Sequence, residues 1–196
     1  LHEIIRKFAE DGLITILDDR IVMDVKQRIR AAVMAIRMGG DPERVCSLLR
    51  WGEFEDLSAL AFEMAGFSVR RHLRFRWAGR WWEIDILGFK RPIIVSVDCK
   101  QWRKGWSRSA IIRAVDSQIE RTRALAEALP SIIDKFRMDL RGRFTIIPII
   151  LSLIRGEFKF YRAVPIVPIL QLPDFLREMI AHIGSMAHFD GEIDKK

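Results

Sequence analysis

Two carboxylates and one lysine are placed to do chemistry together in the stretch from 81 to 102, WWEIDILGFKRPIIVSVDCKQW. Asp85 stands alone between isoleucines, and Asp98 and Lys100 end the next run of β-branched residues. These two runs predict two strands, and a turn at 90 to 92 folds them into an antiparallel pair with Asp85 next to Asp98. Adjacent anions repel unless a cation lies between them, and oxygen ligands suit Mg²⁺ or Mn²⁺.

Side chains on the second strand alternate between two faces. Ser96, Asp98 and Lys100 share one face. The residues of the opposite face are Ile93, Val95, Val97 and Cys99. The ammonium group therefore projects beside a carboxylate, where it can steady a phosphate or an attacking water. The alternative interpretation is that Asp85, Asp98 and Lys100 form the solvated face of a sheet with an ordinary surface ion pair.

Asp85, twelve further residues and then Asp98-Cys99-Lys100 resemble the D-x(n)-(D/E)-x-K signature of the PD-(D/E)XK nuclease superfamily. The resemblance is above all to Mrr-like restriction endonucleases and archaeal Holliday-junction resolvases, and it covers residues 50 to 170. It departs from the motif of the name, because Ile84 rather than proline precedes Asp85. It implies Mg²⁺- or Mn²⁺-dependent cleavage of DNA, with Asp85, Asp98 and the Cys99 carbonyl as metal ligands and Lys100 near the water.

Those families also carry a glutamate on the helix before the first core strand. The resemblance matches this acid to Glu55, in the segment WGEFE that precedes GFSV, while Glu53 and Glu63 stay open as alternatives. It also matches Gln118, on the predicted helix that Ser107 or Ser109 caps, to an accessory polar residue near the metal. The implied fold is α/β, a restriction-endonuclease-like core of helix, three strands, helix and strand, with a mixed sheet flanked by helices.

The positive charge of the chain is concentrated in its middle. Residues 70 to 108 carry 11 Lys and Arg against 3 acids, a balance of +8, whereas 1 to 69 sum to −3 and 109 to 196 to +2. A basic field interrupted mainly at the proposed ligands suits a polyanion such as DNA, although any single arginine can equally be a solvated charge. The candidate nucleic-acid-binding residues are Arg74, Arg76, Arg80, Trp102, Arg103, Lys104 and Arg108.

Clean alternation from 67 to 77 predicts a half-buried strand with a row of cations on its polar face. Core packing is the default interpretation for Trp77, Trp81 and Trp82. Trp102 lies in the cationic segment QWRKGWSR, and the sequence supports stacking on DNA and packing in the core about equally for it.

The length and the 49% hydrophobic content fit one main core and a small appended unit. Residues 1 to 40 predict a helical or winged-helix-like extension, which serves either DNA binding or dimerisation or is a cap on the core. Residues 41 to 185 form the predicted nuclease domain, and 186 to 196 a tail that frays. The apolar run from 144 to 154 predicts a buried strand after a parallel crossover, in which Pro148 requires a bulge or an edge.

No apolar run is long enough to span a bilayer, and Leu1 to Glu10 lacks the hydrophobic core of a signal peptide. Cys46 and Cys99 are too few for a disulfide framework. We therefore expect a soluble, cytoplasmic protein that binds duplex or branched DNA and acts as a homodimer to cut two strands. The alternative to an enzyme is a catalytically inactive nuclease-fold module that binds nucleic acid, and the sequence leaves DNA and RNA open.

Overall fold

The computed structural model describes residues 2–18, 20–100, 107–136 and 140–193. The chain forms two compact units, Leu1–Leu57 and Ser58–Lys196. The division falls inside a helix that begins at Trp51, whereas the sequence suggested residue 40 as the boundary. No helix in the described part of the chain is both long and apolar enough to cross a membrane.

The first unit consists of short helices and one hairpin. Its elements are α1 (His2–Glu10), β1 (Thr15–Leu17), β2 (Arg20–Val22), α2 (Val25–Arg37), α3 (Pro42–Ser47) and the start of α4 (Trp51–Met64). Asp24 begins α2 with a capping box, in which its carboxylate accepts from the Gln27 N–H and the Gln27 side chain accepts from the Asp24 N–H. The predicted order of helix, hairpin and helix is confirmed, while its use as a winged helix stays a prediction.

The second unit is built on a mixed seven-stranded sheet. Its strands are β3 (Ser68–Trp77), β4 (Arg80–Lys90), β5 (Ile93–Lys100), β6 (Gly142–Ser152), β7 (Phe160–Tyr161), β8 (Val164–Pro168) and β9 (Phe189–Ile193). The spatial order is β3-β4-β5-β6-β8-β7, and β9 also pairs with β6. Strands β5, β6 and β8 run parallel, and the other pairs are antiparallel. The α/β class and the mixed sheet flanked by helices are confirmed.

Helix α5 (Arg108–Ile132) makes the predicted parallel crossover from β5 to β6, and α6 (Leu172–Glu178) follows β8. Three short 3₁₀ segments complete the second unit, at Ile133–Phe136, Ile169–Gln171 and Met179–Ser185. Ser107 caps α5 by accepting from the Ala110 N–H. Leu125 and Leu129 of α5 pack in one core cluster with Leu73 and Ile84 of the sheet, so burial of these apolar side chains fixes α5 against the strands.

Strand β5 is buried along its whole length from Ile93 to Cys99, because it lies between β4 and β6 and both its faces are covered. Asp98 is only 3% exposed. The interpretation of Asp85, Asp98 and Lys100 as an ordinary solvated sheet face is therefore wrong for Asp98.

One prediction about the last third of the chain needs correction. The tail does not fray over Phe189–Ile193, because β9 pairs there with β6, and Gly191 lies where a Cβ would come within 2.3 Å of the Phe144 ring. Of the two predicted settings for Pro148, a bulge or an edge, the structure shows no bulge, because β6 keeps a continuous register with β5 through this residue. On its other side Pro148 falls between the residues paired with β9 and those paired with β8, so its missing N–H is not needed there.

Candidate functional site

Asp85 lies where the regular sheet is interrupted. The β4–β5 register runs from Lys90↔Ile93 to Ile86↔Val97, and its next step would join Asp85 to Asp98. The β3–β4 register also skips Asp85, opposite His72, which adopts a left-handed φ of 50°. Instead of a backbone pair, the Asp85 carboxylate accepts through Oδ2 from the Cys99 N–H at 2.8 Å. Asp85 therefore lies next to the Asp98 end of β5, as predicted, but a side-chain hydrogen bond rather than a backbone pair connects the two strands there.

This interruption also changes which face the β4 side chains occupy. Strict alternation would place Ile84 and Leu87 on opposite faces, yet both belong to the core cluster that contains Leu125 of α5. The break in both ladders thus sets the direction of the Asp85 carboxylate.

Asp98 receives a cation on each of its oxygens. Nη1 of Arg121 lies 2.6 Å from Oδ1, and Nζ of Lys100 lies 2.7 Å from Oδ2. The side chains of Arg121 and Lys100 are 22% and 32% exposed, against 4% for Asp98. Charge-assisted hydrogen bonds at these distances are strong ones, and they compensate the cost of burying the carboxylate. The predicted adjacency of Asp98 and Lys100 is confirmed, and Arg121 is an addition to it.

Gln118 joins the same network from α5. Its Nε2 donates to the Ser96 carbonyl oxygen at 2.7 Å, and its Oε1 accepts from Nη1 of Arg121 at 3.0 Å. Gln118 is fully buried, so its amide has a fixed orientation and holds the guanidinium group against Asp98. Gln118 contacts Arg121 and Ser96 in this network, and its function as an accessory residue near a metal stays a prediction. Arg121 was missed, although its i, i+3 spacing from Gln118 places the two on one helix face.

The pKa of the Asp85 carboxyl is raised above its usual value. Burial raises the pKa of Asp85, and the negative charge of Asp98 raises it further. The Cys99 N–H and the positive charges of Lys100 and Arg121 act in the opposite direction but do not cancel the rise. A cation beside Asp85 would relieve this cost, because it favours the ionised form.

The donor chemistry fits a hard divalent cation. Asp85 and Asp98 offer carboxylate oxygens, and in the described part of the chain Oδ1 of Asp85 has no hydrogen-bond donor. Within those same residues, no group of three or more His, Cys, Asp or Glu side chains is placed to hold a metal ion. Each oxygen of Asp98 already accepts from one cation, so a metal ion on Asp98 would share a carboxylate oxygen with Arg121 or Lys100. Ligation by the Cys99 carbonyl stays a prediction.

Glu53 forms hydrogen bonds at the start of α4. It is 2% exposed, forms an ion pair with Arg28, and accepts from the Arg50 N–H at 2.7 Å. Burial by itself raises the pKa of Glu53, but the hydrogen bonds from Arg28 and Arg50 bring it below its usual value. Glu53 therefore has a structural function as a capping acid within the first unit.

Glu55 and Glu63 differ in burial. Glu55 is 5% exposed and accepts from the Trp51 indole Nε1 at 2.8 Å, whereas Glu63 is exposed. Glu55 is therefore a buried, hydrogen-bonded acid, whereas Glu63 is a solvated one. The assignment of Glu55 as the third acid stays a prediction.

The candidate nucleic-acid-binding arginines of the hairpin are exposed. Nε of Arg74 lies 2.9 Å from Glu83, and the Arg80 guanidinium lies 4.1 Å from the centre of the Trp82 ring. Arg76 is exposed on the same strand as Arg74. Arg108 is exposed at the first residue of α5. Trp102, Arg103 and Lys104 lie outside the described residues.

The tryptophans of the hairpin divide between two environments. Trp77 and Trp82 pack against the core, as predicted, but Trp81 is 68% exposed. The prediction of core packing for Trp81 is wrong, because Trp82 already occupies the core-facing position and the next side chain along β4 points away. Trp81 lies opposite Arg76 and, with Arg74, Trp82 and Glu83, lines an open pocket of about 430 Å³.

A second open pocket, of about 280 Å³, borders Asp98. Its lining residues are Asp98, Lys100, Ala110, Arg113, Ala114, Ser117 and Arg121. Asp98 and Lys100 come from the end of β5, and the others come from one side of α5. The polar network is thus accessible from solvent through this pocket.

No family model matches the chain, and the comparison with curated proteins gives no match either. One solved structure with partial likeness is described as the crystal structure of a protein of unknown function, AF1548. The TM-score is 0.31 at 13% identity, and the alignment covers 50% of this chain and 46% of that one. A likeness this low defines neither a fold family nor a function.

Proposed function

We propose that this chain is a metal-dependent nuclease of the PD-(D/E)XK type, with a restriction-endonuclease-like core, that hydrolyses DNA phosphodiester bonds. The observation that carries this proposal is the meeting of Asp85 with the end of β5, where Lys100 lies 2.7 Å from Asp98. The raised pKa of Asp85 supports the proposal, because carboxyl groups with shifted pKa values cluster at functional sites.

Asp85 and Asp98 would hold Mg²⁺ or Mn²⁺, with the Cys99 carbonyl and Glu55 as the further ligands that the resemblance implies. When bound, such an ion supplies a more acidic water and neutralises charge on the phosphate. Lys100 orients the attacking water or neutralises the phosphate oxygens from its position beside Asp98. Gln118 acts indirectly, since it holds Arg121 rather than the reacting atoms.

The exposed cations would attract and position the DNA. Arg74, Arg76 and Arg80 lie on the β3–β4 hairpin, and Arg108 begins α5. The proposal also includes Trp102, Arg103 and Lys104 on the strength of the sequence. Exposed Trp81 adds a flat aromatic surface beside Arg76, suited to stacking on an unpaired base. A homodimer belongs to the same proposal, because cutting both strands of a duplex takes two sites.

One observation favours a second candidate, a nucleic-acid-binding module without turnover. Each oxygen of Asp98 is already paired with a cation, so the charge of this buried carboxylate is compensated without a metal ion. Such a module would keep the basic surface and use the network only to stabilise β5 against α5. The enzyme has the better support, because Asp85 adds a second carboxylate that a purely structural network does not need.

The decisive experiment incubates the purified full chain with linear duplex, single-stranded and four-way-junction DNA, in Mg²⁺, Mn²⁺ or EDTA. We expect nicking that depends on metal and falls at least about a hundredfold in Asp85→Ala and in Lys100→Ala, while DNA binding persists. Asp174→Ala, at an exposed acid of α6, is the matched control and should cleave as the wild type does. Tight binding without cleavage in every metal would select the binding module, and full cleavage by Lys100→Ala would remove that residue from the mechanism.

A further inference from the structure

One side of α5 carries a row of polar side chains that the nuclease signature does not include. Arg113, Ser117 and Arg121 follow each other at intervals of four residues, and side chains four apart lie on one helix face. All three line the pocket of about 280 Å³ beside Asp98 and Lys100. Ala110 and Ala114 line the same pocket, and their small side chains leave its centre open.

The pocket carries an excess of positive charge. Lys100, Arg113 and Arg121 contribute three cations against the single anion of Asp98, a balance of +2. Lys100 and Arg121 are already bonded to Asp98, whereas Arg113 has no ion pair with any acid among the described residues. Ser117 is exposed and adds a hydroxyl donor. A compact anion with several acceptor oxygens is the ligand that such donors recognise, and guanidinium groups match the oxygens of phosphate in geometry.

From this arrangement we infer that α5 carries a phosphate-binding subsite formed by Arg113, Ser117 and Arg121, while Lys100, which also lines the pocket, stays engaged with Asp98. Arg113 is the principal contact, because its guanidinium group has no competing acid in the part of the chain that the structure describes. Gln118 keeps Arg121 in place through the hydrogen bond between Oε1 and Nη1, so this side of the pocket is ordered before the ligand arrives. The identification of the ligand as a substrate phosphate rests on the proposed nuclease function, whereas phosphate binding as such does not.

The same chemistry could come from an internal phosphodiester next to the cleaved bond or from the terminal monophosphate of a strand. An internal phosphodiester carries one negative charge. A terminal monophosphate carries close to two at neutral pH, which the balance of +2 in the pocket would match. The two sources are separated by the ends of the oligonucleotide that is offered.

The test uses the full chain in EDTA, so that neither metal nor cleavage contributes. The melting temperature is followed while inorganic phosphate replaces chloride at constant ionic strength. We expect a saturable rise for the wild type, and Arg113→Gln should need about tenfold more phosphate for the same rise. Arg123→Gln is the matched control, since Arg123 lies on the same helix over the Phe189 ring and does not line the pocket. Ser117→Ala provides a second variant, with a smaller shift expected.

A flat titration for the wild type, or equal titrations for the wild type and Arg113→Gln, would overturn the subsite. So would an equal loss in Arg123→Gln, which would indicate only general attraction of anions to a basic helix. Binding of 5′-phosphorylated and 5′-hydroxyl forms of one single-stranded oligonucleotide then identifies the source. A defect of Arg113→Gln confined to the phosphorylated form assigns the terminal monophosphate, and an equal defect for both assigns the internal phosphodiester. Because no metal is present, the subsite and the nuclease proposal can fail independently.

Discussion

Acids meet cations at similar distances in two regions of the second unit, one buried and one exposed. Where β5 meets α5, Asp98 is 2.6 Å from Arg121 and 2.7 Å from Lys100, with its side chain 4% exposed. On the β3–β4 hairpin, Glu83 is 2.9 Å from Arg74 and its side chain is 40% exposed. Water screens the exposed pair but not the buried one. Similar distances therefore correspond to a strong interaction at Asp98 and a weak one at Glu83. The buried network fixes the positions of charges, whereas the exposed pair leaves its arginine available to other anions.

Removal of one acid from each region should give the largest difference. Asp98→Ala leaves Arg121 and Lys100 without their anion, and we expect a loss of roughly 3 kcal/mol in the free energy of unfolding. Glu83→Ala removes a screened pair and should cost less than about 1 kcal/mol. Urea unfolding of both variants, in EDTA, measures the two losses.

Asp98→Asn sharpens this test, because the amide keeps the shape of the carboxylate and removes only the charge. A mutual repulsion of Asp85 and Asp98, taken alone, predicts that this variant melts at or above the wild type in EDTA. The two cations on Asp98 predict the opposite, a destabilised variant. A melting temperature equal to or above the wild type would show that the network contributes little to stability.

The strands and the convergence of Asp85 with Asp98 follow from local pattern. The β-branched runs on both sides of the Arg91-Pro92 turn fix two strands and their antiparallel pairing, and the period of two then places Asp98 beside Lys100. The network partner Arg121 does not follow in the same way. Which helix side chain reaches a carboxylate depends on how α5 crosses the sheet, and this is set by packing between distant parts of the chain, such as the core cluster that contains Leu125 and Ile84.

The structure differs from the sequence prediction at Trp81 and at the tail for a similar reason, since both depend on the assembled sheet. Trp81 and Trp82 are both large and aromatic, so hydrophobicity alone sends both to the core, but adjacent strand residues cannot share a face. The tail contains the segment FDGEI, which is too polar to predict a strand, and it forms β9 because β6 offers an unpaired edge over Gly142–Ile146. Such pairing between residues far apart in sequence is a property of the assembled sheet.

The next prediction concerns the exposed arginines of the β3–β4 hairpin. Arg74→Ala combined with Arg76→Ala should weaken binding to all DNA sequences, by about tenfold at moderate salt, because both residues supply attraction rather than base recognition. The slope of log affinity against log salt should flatten by about one for each lost phosphate contact. Fluorescence anisotropy of labelled duplex DNA across a salt series measures both changes.

Lys100→Ala is the control from the buried region. Its ammonium group is engaged with Asp98, so affinity and salt slope should stay within about twofold of the wild type even though cleavage is lost. If Lys100→Ala lowered the slope as much as the double variant of the hairpin, the division between a catalytic network and an attracting surface would not hold.

The smallest expected effect concerns Asp85 and pH. Its pKa in the folded protein is raised, chiefly by burial, so the folded state binds the proton more tightly than the unfolded chain does. The resulting stabilisation is fully present below the unfolded value of about 3.9 and is lost as the pH rises through the higher folded value. Asp85→Asn carries no charge and still offers an oxygen to the Cys99 N–H, so it escapes this loss. In EDTA it should melt slightly above the wild type at pH 7, and the difference should shrink towards pH 3.

Added metal should reverse the sign of that difference if Asp85 is a ligand. A cation that binds only the folded state stabilises it by RT ln(1 + [L]/Kd), about 2.7 kcal/mol at a hundred times its Kd. The wild type should therefore gain in a Mg²⁺ titration, while Asp85→Asn gains much less and falls below it. Asp116→Asn, at an exposed acid paired with Arg162, should behave as the wild type does in both series. Equal responses of wild type and Asp85→Asn to Mg²⁺ would contradict a metal-binding function for Asp85, and the pH series in EDTA would then describe a carboxylate that is only buried.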